Sequence, residues 1–312
     1  MLSRLAENIY WLARYLERTE DTARLLLASA QIQMDLPSGM PMSWHSLLEI
    51  LGASEPYRAR HGSENERAVM RFLISDPAYS GSIAASVRSA RENARVTRDQ
   101  LPREAWEAIN GLHYLLQEQA PNAIASRWRR NDLLAAIAAQ CQRIQGVLHG
   151  SVSRGPRYQF IALGRYLERA DMTTRILDVR YASLFPMDGD GNDSYYSSVC
   201  WISVLRSLSA YEMYRQDLHG LVRGRDVVHY LLQGERSPRA VGFALARIRQ
   251  CLEGLPNHQQ PAARLEALQA VLATASLVDL SPDAMHEFID GLQQGFAALH
   301  GDVVQTYFRF TP

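Results

Sequence analysis

The feature that most constrains this chain is its similarity to itself. Leu12-Ala-Arg-Tyr-Leu-Glu-Arg-Thr-Glu-Asp-Thr-Ala-Arg24 lies over Leu163-Gly-Arg-Tyr-Leu-Glu-Arg-Ala-Asp-Met-Thr-Thr-Arg175 at an offset of 151 residues. Four further matches follow in the same order: Trp44 with Trp201, Phe72-Leu-Ile with Tyr230-Leu-Leu, Trp106-Glu-Ala-Ile with Leu265-Glu-Ala-Leu, and Leu148-His-Gly-Ser-Val with Leu299-His-Gly-Asp-Val. Collinear self-similarity of this kind decides architecture before any local motif does. It predicts a tandem duplication, residues 1-154 and 155-312, whose halves are related by a pseudo-twofold and share a core.

Each half reads as helical. Apolar residues recur three and four positions apart, as in Leu5, Ile9, Leu12, Leu16, Ala23 and Leu27, and long period-two runs of β-branched residues are missing. Breaks fall at Pro37 to Pro41, Asp76-Pro77, Leu101-Pro102, Pro121, Gly155-Pro156, Phe185 to Asn192, Ser237-Pro238, Pro256 to Pro261 and Ser281-Pro282. The expectation is an all-α protein, a duplicated helical bundle of about ten helices.

Charge and composition remove several functions. The 312 residues carry 33 basic and 33 acidic side chains, so no field of one sign draws the chain to nucleic acid or an anionic membrane. Every basic residue is arginine; without lysine there is no P-loop or Schiff-base ammonium. Cys141, Cys200 and Cys251 lie far apart, without the spacing of a zinc site or a disulfide frame, and read as buried thiols in a reducing compartment. The first eighteen residues lack the apolar stretch of a secretion signal, and no segment is long and apolar enough to span a bilayer. A cytoplasmic location is expected.

The repeated motif holds the candidate chemistry. Arg14, Glu17, Glu20 and Arg24 project within an arc of roughly 120° on a helix, and Arg165, Glu168, Asp171 and Arg175 repeat them. Together with Arg18 and Arg169 they border the apolar face, where a carboxylate must be paired or suffer desolvation. Two readings stay open. One is an ion-pair network that fixes how the halves dock; the other is a site where carboxylates act as acid and base and arginines clamp an anion. A second charged set, Arg88, Arg91, Glu92 and Arg95, lies beside small residues, and Glu212 and Arg215 have similar spacing; these are candidate anion-binding residues or a solvated helix face.

Other chemistry finds no support. No Glu-x-x-His occurs, so a carboxylate-bridged dimetal bundle is excluded. His149 and His300 precede Gly at matched positions and read as C-terminal caps. Asp188-Gly-Asp-Gly-Asn-Asp193 lacks the sixth-position Gly and twelfth-position Glu of a calcium loop, and reads as an acidic connection. Trp44 and Trp201 are expected in the core. No metal or cofactor is expected.

Taken together, Tyr15-Leu-Glu-Arg18, Ser86-Val-Arg-Ser-Ala-Arg-Glu-Asn-Ala-Arg95, Leu163 to Leu177 and Ser203 to Arg215 resemble the bacterial alpha-E domain family, nearly end to end. The family's Glu-Arg pairs correspond to Glu17-Arg18 and Glu168-Arg169. The resemblance implies partnership with a circularly permuted ATP-grasp peptide-ligase-like protein and a transglutaminase-like protein, in making or modifying peptides or amide-linked metabolites. It leaves two functional readings, an accessory or interaction protein and an enzyme of amide or peptide chemistry. The copies are not identical: Thr19-Glu20-Asp21 stands where the later one has Ala170-Asp171-Met172.

Overall fold

The computed structural model describes residues 3–35, 44–183, 193–277 and 280–309. Among them are fourteen α-helices, one 3-10 turn at Arg98–Gln100, and no strand. The helices are α1 (Ser3–Asp35), α2 (Trp44–Ile50), α3 (Ser54–Arg58), α4 (Glu66–Ser75), α5 (Ile83–Val96), α6 (Arg103–Ala123), α7 (Arg127–Ser151), α8 (Pro156–Ser183), α9 (Asp193–Ser207), α10 (Tyr211–Asp217), α11 (Gly224–Leu232), α12 (Val241–Glu253), α13 (Gln259–Thr274) and α14 (Pro282–Tyr307). No described helix is long and apolar enough to cross a membrane.

The all-α class expected from periodicity is found; the count of about ten helices is too low. The additional helices are short, and the turns that separate them are made without proline. Gly52 ends α2 with φ +60°, and Ser209 does the same after α9 with φ +54°. In both turns the next amide reaches back five residues, Ala53 N to Leu48 O at 2.6 Å and Ala210 N to Leu205 O at 2.8 Å, which satisfies carbonyls that a helix end would leave bare. Asn65, Ser82 and Ser281 cap the starts of α4, α5 and α14 by accepting the amide three residues on.

Proline is the less reliable marker. Pro156 and Pro282 open α8 and α14 as expected. Pro121, expected to break a helix, lies inside the last turn of α6, and Pro261 lies in the first turn of α13, where its missing N–H has no intrahelical partner to lose. The breaks expected at residues 37–41 and 185–192, and all but the last residue of the acidic connection at 188–193, lie outside the described residues.

Helices α1 and α8 pack along each other at the centre. Around α1 lie α5, α7 and α9; around α8 lie α12, α14 and α2. Buried apolar side chains from every long helix join in one contiguous cluster. The close approach of α1 and α8 depends on Gly164, where a Cβ would stand 2.4 Å from the Tyr10 carbonyl oxygen; the position matched to it on α1 is the small, buried Ala13. Trp44 and Trp201 are half-buried at the rim of the core, and the three cysteines are buried and form no disulfide.

Candidate functional site: a crossed Glu-Arg network

The Glu-Arg motifs meet where α1 crosses α8, and each glutamate is held by arginines of the other helix. Glu168 accepts from Arg14 Nε at 2.6 Å and from Arg18 Nε at 2.5 Å. Reciprocally, Glu17 accepts from Arg169 Nε at 2.5 Å, with Arg165 Nε at 3.4 Å. Glu17 is fully buried and Glu168 2% exposed. The motif's neighbours along one helix, Arg14 and Glu17, therefore do not pair with each other as a simple helical ladder would have them; only Arg24 to Glu20 (2.9 Å) and Arg175 to Asp171 (2.8 Å) are pairs within a helix.

Three side chains complete the network. Arg239, in the turn before α12, reaches Glu20 at 2.8 Å, Asp21 at 2.9 Å and Glu17 at 3.4 Å. The Gln145 amide, from α7, donates to Glu17 at 2.7 Å and Glu20 at 3.0 Å. The Arg239 backbone is itself anchored, its carbonyl accepting from Thr173 Oγ1 at 3.1 Å. Arg239 lies opposite the acid by which the two motifs differ: Asp21 is matched by Met172, and at the offset of the neighbouring helices Arg239 is matched by Gly81. An added acid on one side is thus met by an added arginine.

Electrostatics follow from this geometry. Burial pushes the Glu17 carboxyl up, but Arg169, Arg239 and Arg165 together outweigh it and hold the pKa at about 2. Glu168 is likewise held below the usual range, Arg14 and Arg18 overcoming its burial. Asp21 goes the other way. Burial, and then repulsion from Glu17 and Glu20, exceed what Arg239 supplies and raise it to about 8, so this carboxyl is protonated at neutral pH. Its Oδ1 accepts from Arg239, while Oδ2 has no partner. Seven guanidinium groups thus surround five carboxyl groups; Arg18, Arg165 and Arg175, with between 26% and 36% of each side chain exposed, carry the surplus charge toward solvent.

Aromatic rings flank the network. Arg14 lies 5.0 Å over the Trp11 ring, and Arg165 and Arg169 flank Tyr166. The matched histidines each face a tyrosine of a central helix, His300 Nδ1 of α14 to Tyr10 Oη of α1 at 2.9 Å and His149 Nδ1 of α7 to Tyr158 Oη of α8 at 2.8 Å. This corrects the expectation of two C-terminal caps. His149 is in the last turn of α7, but His300 is seven residues short of the end of α14. Burial first, then Arg14, lowers His300 to about 4, so it is neutral against the tyrosine.

The crossing leaves little room. The cavity that touches it, bounded by Gln145, His149, Tyr158, Arg165 and Tyr166, has a volume of about 20 Å³, enough for a single water. Every motif residue expected from the sequence is found at this junction. The second charged set is not gathered into one place. Arg91 donates to Asn110 at 2.6 Å, and Glu92 pairs with Arg95 at 2.7 Å in solvent. Glu212 and Arg215 lie on α10, where Arg215 donates to Tyr211 Oη at 3.3 Å. Of this set, Arg88 lines a cleft.

Sequence reasoning missed Arg239 and Gln145, and also Arg130, a buried arginine of α7 that pairs with Glu66 beside Arg127. Arg239 sits outside any helix, so helical projection had no means of placing it; the Ser-Pro-Arg turn before an apolar helix was its one visible sign.

Comparisons with known proteins agree with the motifs. A family model described as a predicted alpha-helical domain with a conserved ER motif, Alpha-E, matches residues 1–308. Curated relatives include an uncharacterized protein of Mycobacterium bovis and two of Mycobacterium tuberculosis strains, each 23% identical over 96% of this chain. The chain spans about a third of their length, 36% in each case. No solved structure matches. With the family model covering nearly the whole chain, and both Glu-Arg pairs at its central crossing, the chain belongs to the Alpha-E family.

Proposed function

We propose that this chain is an accessory protein that acts through contact with a circularly permuted ATP-grasp, peptide-ligase-like partner, and with a transglutaminase-like protein, in peptide or amide-metabolite synthesis or modification in the cytoplasm. The observation that carries this reading is the closure of the Glu-Arg network. Each of its charged groups has a partner of opposite charge within the network, and the adjoining cavity has the room of one water, whereas ligand sites for small molecules are clefts of several hundred Å³. The relatives lend further support. They extend well beyond the matched region, as expected of a module that works beside other polypeptide.

The same network supports a tandem duplication. Among the described residues seven α-helices precede residue 155 and seven follow it, and the reciprocal contacts of Glu17 and Glu168 fit a pseudo-twofold interface. In this reading the Glu-Arg pair is the lock between two copies of one unit.

A second reading, an enzyme of amide chemistry, has one observation in its favour: Glu17 ionised beside a protonated Asp21 is a pair with acid-base properties pushed apart. Burial of both groups opposes it. The test is copurification of the tagged full chain with the ATP-grasp-type protein of its own genome. A stoichiometric complex is expected. Absence of the complex, with amide turnover by the isolated chain that is lost in Glu17→Gln, would replace the accessory reading with the enzymatic one.

A further inference from the structure

Away from the Glu-Arg network, a cleft of about 540 Å³ opens between α4, α5 and α6. Arg67 and Arg71, one turn apart on α4, and Arg88 on α5 all line it, with His113 and Gln117 of α6. No carboxylate lines it. The acids flanking α4 are engaged elsewhere, Glu66 with Arg127 and Arg130 of α7, and Asp76 with Arg60. Arg88 is tethered by a hydrogen bond from Nη2 to the Pro77 carbonyl at 3.2 Å. Two like charges a turn apart on an exposed helix repel; a third brought in from another helix adds to the cost. The remaining wall, around Pro121, is apolar.

The matching helix of the second half shows that this balance is particular to the first. Arg225 and His229 of α11 stand where α4 has Arg67 and Arg71, at an offset of 158 residues. The cleft of about 690 Å³ that they line also contains Asp217, Asp226 and Glu235, so both signs of charge are present there. Helix register alone therefore does not produce an all-basic cleft.

We propose that the α4–α5–α6 cleft binds a small phosphate-bearing molecule, with Arg67, Arg71 and Arg88 holding phosphate oxygens and the wall around Pro121 receiving its less polar part. Arginine's planar fork of donors suits phosphate oxygens. Three guanidiniums converging from two helices match a polyanionic group with acceptors in several directions better than a single planar carboxylate. The His113 imidazole, held below its ordinary pKa by burial and by Arg91 and Arg88, adds an uncharged partner at neutral pH.

Calorimetric titration of the full chain with inorganic pyrophosphate tests the proposal, with citrate as a carboxylate of comparable charge. The expected result is saturable one-to-one binding of pyrophosphate, weakened about tenfold or more by Arg71→Ala and by Arg88→Ala and unchanged by Arg225→Ala. Citrate is expected to bind at least about tenfold more weakly. The substituted side chains are exposed, so the variants should fold; Arg71→Lys, which keeps the charge and loses the fork, should fall between Arg71→Ala and the unaltered chain. No saturation at about millimolar pyrophosphate, equal weakening by Arg225→Ala, or citrate binding as tight as pyrophosphate would overturn the proposal.

Discussion

Arg14 and Glu168, 154 residues apart in the chain, meet Nε to Oε2 at 2.6 Å between α1 and α8, and both are buried. Arg169 and Glu17 make the opposite contact at 2.5 Å. Two elements that each place a carboxylate among the other's guanidiniums have one register that satisfies all four groups. A slip by one residue would leave buried charge unpaired, a penalty of several kcal/mol per group. The network thus specifies how the helices dock, whatever its net contribution to stability.

Arg239 tests whether the network extends beyond the motif. It is the arginine shared by Glu17, Glu20 and Asp21, and Arg239→Met keeps much of its volume while removing the charge. We expect a loss of about 3 to 5 kcal/mol in denaturant unfolding, because Asp21 is left buried without a partner and Glu17 and Glu20 each lose one of theirs. Arg239→Lys should recover only part of this, since a single ammonium cannot reproduce the two-pronged contact of Nη1 with Asp21 and Nη2 with Glu20. A loss below about 1 kcal/mol for the Met variant would mean that Arg239 is peripheral.

Asp21 makes a prediction about pH. Its folded pKa of about 8 lies above the ordinary 3.8, so between these values the folded chain holds a proton that the unfolded chain releases. Stability from this group is full below about pH 4 and is lost as pH rises toward 8. Asp21→Asn cannot titrate. The stability of the Asn variant relative to the unaltered chain should therefore increase across that window by on the order of a few kcal/mol, measured as unfolding free energy at several pH values. A difference independent of pH would show that Asp21 is ionised like an ordinary carboxylate.

Gly164 sets the separation of α1 and α8. Gly to Ala inside a helix ordinarily stabilises by up to about 1 kcal/mol. Here the added methyl would meet the backbone of Tyr10, and backbone cannot turn aside as a flexible side chain does. We expect Gly164→Ala to be destabilising by about 1 to 3 kcal/mol, with the helices forced apart and the Arg14–Glu168 contact lengthened. A raised melting temperature would place the close approach elsewhere.

Periodicity was sufficient for the all-α class, and the repeated stretch Leu12 to Arg24 and Leu163 to Arg175 located ten of the charged residues at the central crossing. What it could not reveal was pairing. The projection of a single helix places Arg14 beside Glu17, yet their partners come from a helix about 150 residues away, and only tertiary packing decides between those alternatives. The helices missed in the count are one to three turns long, too short for a periodic signal, and set off from their neighbours by residues such as Ser209, between α9 and α10, whose left-handed backbone has no sequence signature as strong as glycine's. Arg67 and Arg71 were not singled out in the sequence; that Arg88 joins them at one cleft is a property of how α4 packs on α5.

The central claim is that the Glu-Arg crossing holds the fold together and that function lies in contacts made elsewhere. Thermal melting of Glu168→Ala beside the unaltered chain tests it most directly. Removing one partner of a buried ion pair costs about 3 to 5 kcal/mol, and a chain of this size shifts by roughly 2 to 3 °C per kcal/mol, so the account predicts a fall of about 6 to 15 °C. An unchanged or raised melting temperature would contradict it, because a buried charged group retained at a cost to stability is the mark of a working site.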